Sequence, residues 1–169
     1  MNEIKVKKIS YLDTFPVRSA VLRQGKPIET CFFLGDDAEE TIHFGLFDDE
    51  KLIGVASVFK VNNENFEQNN QFQLRGMAIL SEYQGLGFGN LILKDVCKFV
   101  ESNSGEILWF NARENAVKFY QNYGFSVLGD SFEIPEIGIH FVMFWYLVGY
   151  RSILAIKFIM PAYSVIFVI

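Results

Sequence analysis

Between Gln71 and Phe110 the apolar residues change period twice, and this change restricts the folds open to the chain. From Gln71 to Leu80 they alternate, Phe72 and Leu74 and then, past Gly76, Met77 and Ile79. A period of two is that of a strand. From Leu86 to Ser102 the polar residues Asn90, Lys94, Lys98 and Ser102 fall four apart, beside an apolar stripe of Phe88, Ile92, Val96 and Phe99 widened by Leu93, Cys97 and Val100. That pattern is an amphipathic helix with one buried face. Gly105 stops it, and Glu106–Phe110 reads again as a strand. Strand, helix and strand in succession form a crossover that sets two strands parallel, so the chain is an α/β protein with a helix lying on its sheet.

The rest of the chain supplies antiparallel strands around that unit. Ile4–Ser10 reads as a first strand, and Asp13 or Thr14 as the cap of a helix over Phe15–Gln24 ending at Gly25. Lys26–Glu40 is irregular, and its acidic run from Asp36 to Glu40 reads as a solvated loop. Thr41–Phe47 and Leu52–Val61, separated by Asp48–Lys51, form a hairpin. Arg113–Tyr123 reads as a helix closed by Gly124, and Phe125–Phe132 and Ile137–Tyr146 as two last strands. The order β-α-β-β-β-α-β-α-β-β describes one mixed, mostly antiparallel layer, without internal repeat or linker.

Composition narrows the function. Fifteen Lys and Arg against twenty Asp and Glu leave a net charge of −5, where a nucleic-acid binder shows a basic excess; no nucleic-acid partner is expected. Two cysteines, Cys31 and Cys97, with no CxxC, and two histidines, His43 and His140, give no metal-ligand pattern. No metal is expected. The first residues, Met1 to Lys8, lack the apolar core of a secretory signal, and the expected compartment is the cytoplasm.

The chemistry-bearing stretch is the loop between the alternating strand and the long helix. Gly85, Gly87 and Gly89 stand at alternate positions in Gln84-Gly85-Leu86-Gly87-Phe88-Gly89-Asn90. Glycine lets a ligand approach the backbone closely, and the first helical turn offers unsatisfied N–H groups at the positive end of the dipole. Together they form an anion site suited to phosphate. It is not a Walker loop, since no Lys-Ser or Lys-Thr follows. Nor is it a dinucleotide fingerprint: Asn90 stands where the third glycine belongs, and the antiparallel run upstream breaks the required context.

The segment Gln84–Gly89 resembles the Q/R-x-x-G-x-G/A loop of the GNAT acetyltransferase superfamily. Asn115-Ala116-Val117-Lys118-Phe119-Tyr120-Gln121-Asn122-Tyr123-Gly124-Phe125 is similar to that family's N-A-x-x-F-Y-x-x-x-G-F segment. The resemblance covers roughly residues 4–146, so residues 1–147 are expected to be one GNAT-like domain. It implies a mixed, mostly antiparallel sheet with a central βαβ acetyl-CoA-binding core and flanking helices. It further implies acetyl-CoA as cosubstrate, with the pyrophosphate on the backbone of Gln84, Gly85, Leu86, Gly87, Phe88 and Gly89. The pantetheine arm is expected along the backbone of Met77, Ala78 and Ile79, with Asn115 hydrogen-bonding the arm. The fourth strand is expected to bulge, at Gly76, and to splay from the fifth.

The resemblance also implies Tyr120 as the catalytic residue, donating a proton to the departing thiolate, where spacing alone reads it as a packing residue of the helix; an ordinary phenol pKa lies near ~10. The general base is open among His140, Glu133, Glu136 and His43. Arg75 and Arg113 are read as solvated, as coenzyme phosphate contacts or as contacts to an acidic acceptor. The implied function is an acetyl-CoA-dependent N-acetyltransferase working by direct transfer to a small-molecule or peptide amine in a ternary complex. A non-catalytic acyl-CoA-binding sensor or assembly module is the alternative. Beyond Tyr146 the chain departs from the family with an apolar extension, residues 148–169. Its run Ile153–Ile169, interrupted by Lys157 and Pro161, is short of the roughly 20 residues of a membrane span. Packing on the domain or on a second copy in a homodimer, membrane contact, and an extension without a selected role all stay open.

Overall fold

The computed structural model describes residues 3–147; the apolar extension 148–169 lies outside the described residues. Seven strands form one sheet: β1 (Ile4–Ile9), β2 (Ile42–Asp48), β3 (Lys51–Phe59), β4 (Gln71–Ile79), β5 (Ile107–Arg113), β6 (Ser126–Ile134) and β7 (Gly138–Tyr146). Their spatial order is β1-β2-β3-β4-β5-β7-β6, and β4–β5 is its parallel pair. The remaining pairings are antiparallel. Among the described residues three α-helices flank it: α1 (Phe15–Leu22), α2 (Phe88–Ser102) and α3 (Val117–Tyr123).

The long helix follows its sequence period. Ile92, Leu93, Val96, Cys97 and Val100 of α2 are all buried against Leu46, Ile53, Leu74 and Leu108 of the sheet. Each such side chain contributes roughly 1.5–3 kcal/mol by leaving water, so the stripe holds the helix in place. The opposite face receives α1, whose Val17 packs with Val55 and Ala78. The sheet thus has an α1 side and an α2 side.

Some expected boundaries shift, each for a local reason. The long helix begins at Phe88 rather than Leu86, because Gly87 stands in the left-handed region at φ 85° as its N-cap. The strand expected over 106–110 runs to Arg113, held by β7 as far as the Arg113–His140 pair. The helix expected from Arg113 therefore starts as a 3-10 turn over Glu114–Ala116 and becomes α-helical only at Val117. Asp13 does not cap α1: its carboxylate accepts from Ser10 N and Oγ at 2.9 and 2.8 Å, and a 3-10 turn, Leu12–Thr14, leads into the helix.

The acidic run is only partly solvated. Asp37, Glu39 and Glu40 are exposed, but Asp36 is buried beside Arg18 of α1, and both side chains are fully shielded. Arg18 also donates to Cys31 O (2.7 Å) and Ser57 Oγ (2.8 Å). His43 completes the group: Nε2 donates to Asp36 O (2.9 Å), and Nδ1 therefore accepts from Ser57 Oγ (2.7 Å). Removing one partner of such a pair leaves an uncompensated buried charge, at a cost of about 3–5 kcal/mol. The network ties α1 and the segment after it to β2 and β3, which fixes the α1 wall of the cleft described next.

Candidate active site

β4 and β5 pair only through Gln71–Ile107, Phe72–Leu108 and Gln73–Trp109, and then diverge. The divergence starts just before a bulge. Gly76 has φ 60°, and the β3 register shifts between Val55 and Ser57 opposite it. A side chain here has no room, since a Cβ would lie 2.7 Å from the Phe33 ring and 3.0 Å from Arg18 Nε. The extra residue moves the strand's alternation by one: Phe72 and Leu74 face the α2 side before it, Met77 and Ile79 after it. The expected bulge and splay are thus both present.

The gap opens into a cleft of about 980 Å³, at the upper end of the range for small-molecule sites. Backbone groups on one of its edges are unpaired by the sheet. Leu80 N–H donates to Ile53 O on β3 (2.9 Å). By alternation Ala78 also faces β3, in register with Val55, while Ile79 and Met77 turn their amides toward the cleft. Of the three residues expected to pair with a pantetheine arm, Met77 and Ile79 therefore present free N–H groups. Ile79 O already accepts from Gln84 Nε2 at 2.8 Å, a brace that sets the start of the glycine loop.

That loop suits phosphate. Its backbone bonds stop at Gln84 N–H to Ser81 O (3.3 Å) and resume at Asn90 N–H to Gly87 O (3.0 Å). The N–H groups between them stand at the entry of the 15-residue amphipathic helix α2, where no helical acceptor exists. Space above Gly85 and Gly87 is open, with nothing within 4 Å of a Cβ at either. Gly85, Gly87 and Gly89 line the cleft and Phe88 opens the helix, whereas Leu86 is largely exposed at the loop tip. These residues fit a coenzyme that brings a pyrophosphate and an extended amide arm.

Tyr120 faces the same space from α3. The helix ends in a Schellman motif: Phe125 N–H bonds Tyr120 O (3.0 Å), and Gly124 N–H bonds Gln121 O (3.0 Å). Phe110, Phe119 and Phe125 surround the ring at centroid distances of 4.4, 5.0 and 6.0 Å. The glycine and phenylalanine of the motif thus serve to aim this tyrosine. Its hydroxyl lies 3.6 Å from Met77 Sδ on β4, so it spans the gap between the splayed strands. The phenol is not the ordinary one expected: burial raises its pKa well above the usual 10. It therefore holds its proton at every physiological pH. Asn115 lies in the 3-10 turn before α3 and lines the cleft.

The four candidate bases separate. His140 is buried in β7 and lines the cleft; its Nδ1 donates to Gly138 O (2.8 Å), so in the neutral ring Nε2 is the free acceptor. His43 belongs to the buried network, with both ring nitrogens bonded, and burial lowers its pKa below the usual 6.5. Glu136 pairs with Lys26 at 3.0 Å, and Glu133 is exposed on β6; neither lines the cleft. Arg23, absent from the sequence reading, lines the cleft together with Arg75 and Arg113. No local pattern marks Arg23, because it reaches the site only through the packing of α1 on the sheet. Among the described residues no cluster of three metal-ligating side chains occurs, and no helix is long and apolar enough to cross a membrane.

The fold is a mixed sheet whose two parallel strands splay beside a glycine-rich helix entry. The chain belongs to the GNAT superfamily of N-acetyltransferases: the model of the acetyltransferase (GNAT) domain matches residues 33–145, and the protein is an acyltransferase. It is 34% identical over 141 residues to an uncharacterized N-acetyltransferase of Bacillus subtilis (strain 168), YitI, covering 83% of this chain and 95% of that protein. Its fold is similar to that of FeeM, an N-acyl amino acid synthase from uncultured soil microbes, with a TM-score of 0.72 at 15% identity over 95% of this chain and 100% of that one. It is also similar to a GNAT acetyltransferase from Elizabethkingia anophelis solved with acetyl-CoA bound, with a TM-score of 0.61 at 13% identity over 85% and 98% of the two chains.

Proposed function

We propose that this enzyme transfers the acetyl group of acetyl-CoA directly to an amine held in the same cleft, without a covalent enzyme intermediate. The observation that carries the reading is the Tyr120 hydroxyl, aimed by the Schellman turn across the β4–β5 gap to 3.6 Å from Met77 Sδ. Acetyl-CoA supplies the activated thioester. The N–H groups from Gly85 to Gly89 hold its pyrophosphate, the outward amides of Met77 and Ile79 meet its arm, and Asn115 hydrogen-bonds it. A backbone N–H of β4 stabilises the negative charge that develops on the carbonyl oxygen during attack. Tyr120 gives its proton to the sulfur. Its raised pKa keeps the proton in place until thiolate charge develops beside it, and the apolar surroundings strengthen the hydrogen bond at that moment.

The amine must lose a proton, and His140 Nε2 is the acceptor available on the cleft wall. The two cysteines are free and buried, which suits a reducing compartment, and neither lines the cleft.

The test is steady-state thiol release with Tyr120→Phe, which removes only the hydroxyl. The expected fall in kcat is about 10²–10⁴-fold, with acetyl-CoA affinity nearly unchanged, since protonation of sulfur belongs to the transition state. The loss should shrink with an acyl donor whose thiol is more acidic. In the same assay His140→Gln should slow alkylamines more than an amine already neutral at the assay pH. Equal turnover of Tyr120→Phe and wild type, with chemistry limiting, removes Tyr120 from the mechanism.

A further inference from the structure

We infer that the amine acceptor carries an acidic group, a carboxylate or a phosphate, and that Arg23, Arg75 and Arg113 receive it on the α1 side of the cleft. The inference rests on the acetyl-transfer reading and adds the class of acceptor.

Strand alternation divides the cleft into two halves. On β4, Phe72 and Leu74 face α2, so Arg75 faces α1. On β5, Leu108, Phe110 and Ala112 face α2, so Arg113 faces α1. The glycine loop, Met77 and Tyr120 belong to the α2 half, where the coenzyme phosphates are placed. Arg23, at the end of α1, joins Arg75 and Arg113 in the other half. His140, the proposed base, is the register partner of Arg113 and shares its face.

The charge of this half is one-sided. The chain as a whole is at −5, yet among the described residues the charged side chains lining the cleft are these three arginines, with no carboxylate. None of the three is in an ion pair with a described residue, whereas buried Arg18 has its own aspartate. Arg23 and Arg113 are close enough to repel: after burial, the Arg113 charge is the next cause lowering the pKa of Arg23. Arg23 and Arg75 are also held in place. Arg23 donates to Thr30 O (3.2 Å) and Leu22 O (3.1 Å), and Arg75 to Leu34 O (3.1 Å). The Arg23 and Arg75 guanidinium groups lie 5.2 and 5.3 Å from the Phe33 ring centre, and Arg75 also sits 4.7 Å from that of Phe59. Partly buried like charges are stabilised by an anion among them; the Asp36 carboxylate acts on Arg75 only through its field, since its oxygens are bonded to Arg18. A guanidinium presents the planar donor pair that matches a carboxylate or phosphate. A cationic amine finds no acid here: no carboxylate lines the cleft among the described residues, and Asp36 is committed to Arg18.

The experiment compares acceptors that differ only in the second group, with thiol release from acetyl-CoA as the readout. Amino acids are set beside their amides, phosphoethanolamine beside ethanolamine, and diamines complete the panel. The carboxylate and phosphate arms tell the two anions apart. The acid-bearing member of a pair is expected to exceed its neutral twin in kcat/KM by roughly 10–100-fold, the scale of one charge-assisted hydrogen bond. Arg113→Gln should raise KM for the acidic acceptors by a similar factor, Arg113→Lys should recover part of it, and calorimetry should show wild-type acetyl-CoA affinity in both variants. Amides or diamines used as well as the acids would overturn the inference while leaving acetyl transfer in place. A silent panel in protein that binds acetyl-CoA would also overturn it. So would lost acetyl-CoA affinity in Arg113→Gln, which would assign these arginines to the coenzyme. Failure of the wild-type protein to bind acetyl-CoA, visible before any acceptor is added, would strike the underlying reading and remove the inference with it.

Discussion

His43 carries the clearest pH signature among the single residues. Its ring is buried, its Nε2–H donates to Asp36 O, and its Nδ1 accepts from Ser57, so the fold holds the neutral form. Burial lowers its pKa below the usual 6.5. The unfolded chain then binds the proton more readily than the folded one. The contribution of neutral His43 to stability is complete above its unfolded pKa and is lost as pH falls through the folded value. The melting temperature should therefore drop between about pH 7 and 5, the range where imidazole titrates. His43→Gln should start lower and fall less steeply. A variant profile as steep as the wild type would remove His43 as the source.

At the scale of elements, the loop and the helix it opens act as one unit. Gly87 at φ 85° turns the chain into α2. A β-branched residue forced into this region costs roughly 1–2 kcal/mol of backbone strain, and nothing lies within 4 Å of the new Cβ. The strain can be relieved only by changing the loop path, which moves the N–H groups between Gln84 and Asn90. Gly87→Val should accordingly weaken acetyl-CoA binding at least about tenfold by calorimetry, or about 1.4 kcal/mol, while a thermal scan still shows a cooperative fold. Wild-type affinity in that variant would remove the loop from the phosphate site. The Schellman turn after α3 is a comparable unit: Gly124 and Phe125 hold Tyr120 in place without taking part in the chemistry.

At the scale of the whole molecule, Leu147 anchors the end of the described residues to the core. Leu147 is 4% exposed, and its N–H bonds Glu106 O at 3.1 Å, which secures the far end of β7 against the start of β5. A chain ending at Leu147 should therefore stay soluble, melt cooperatively and bind acetyl-CoA. Its collapse into aggregate would show that residues 148–169 complete a core or an interface. The same scale separates what was legible from the chain alone. The period changes around the glycine loop and the β-strand alternation depend on neighbours a few residues apart, so the element order and the crossover could be read directly. Gly85 and Gly87 were legible because a helix entry is local geometry, whereas Tyr120 was singled out by the family resemblance, which also added the coenzyme. The place of Arg23 and His140 on the cleft wall and the burial of Asp36 and His43 in one network were not visible. Each depends on contacts between residues remote in sequence, such as Arg18 with Ser57, 39 positions apart. Hydropathy also assigns a charged residue such as Arg18 to solvent, where the fold buries it. The amino-acid sequence by itself determined the layers, the crossover and the glycine turn into α2, because periodicity and glycine conformations act over a few bonds. Tertiary structure alone decided the cationic half of the cleft and the pKa values of Tyr120 and His43, because field and desolvation depend on what the whole chain packs around a group.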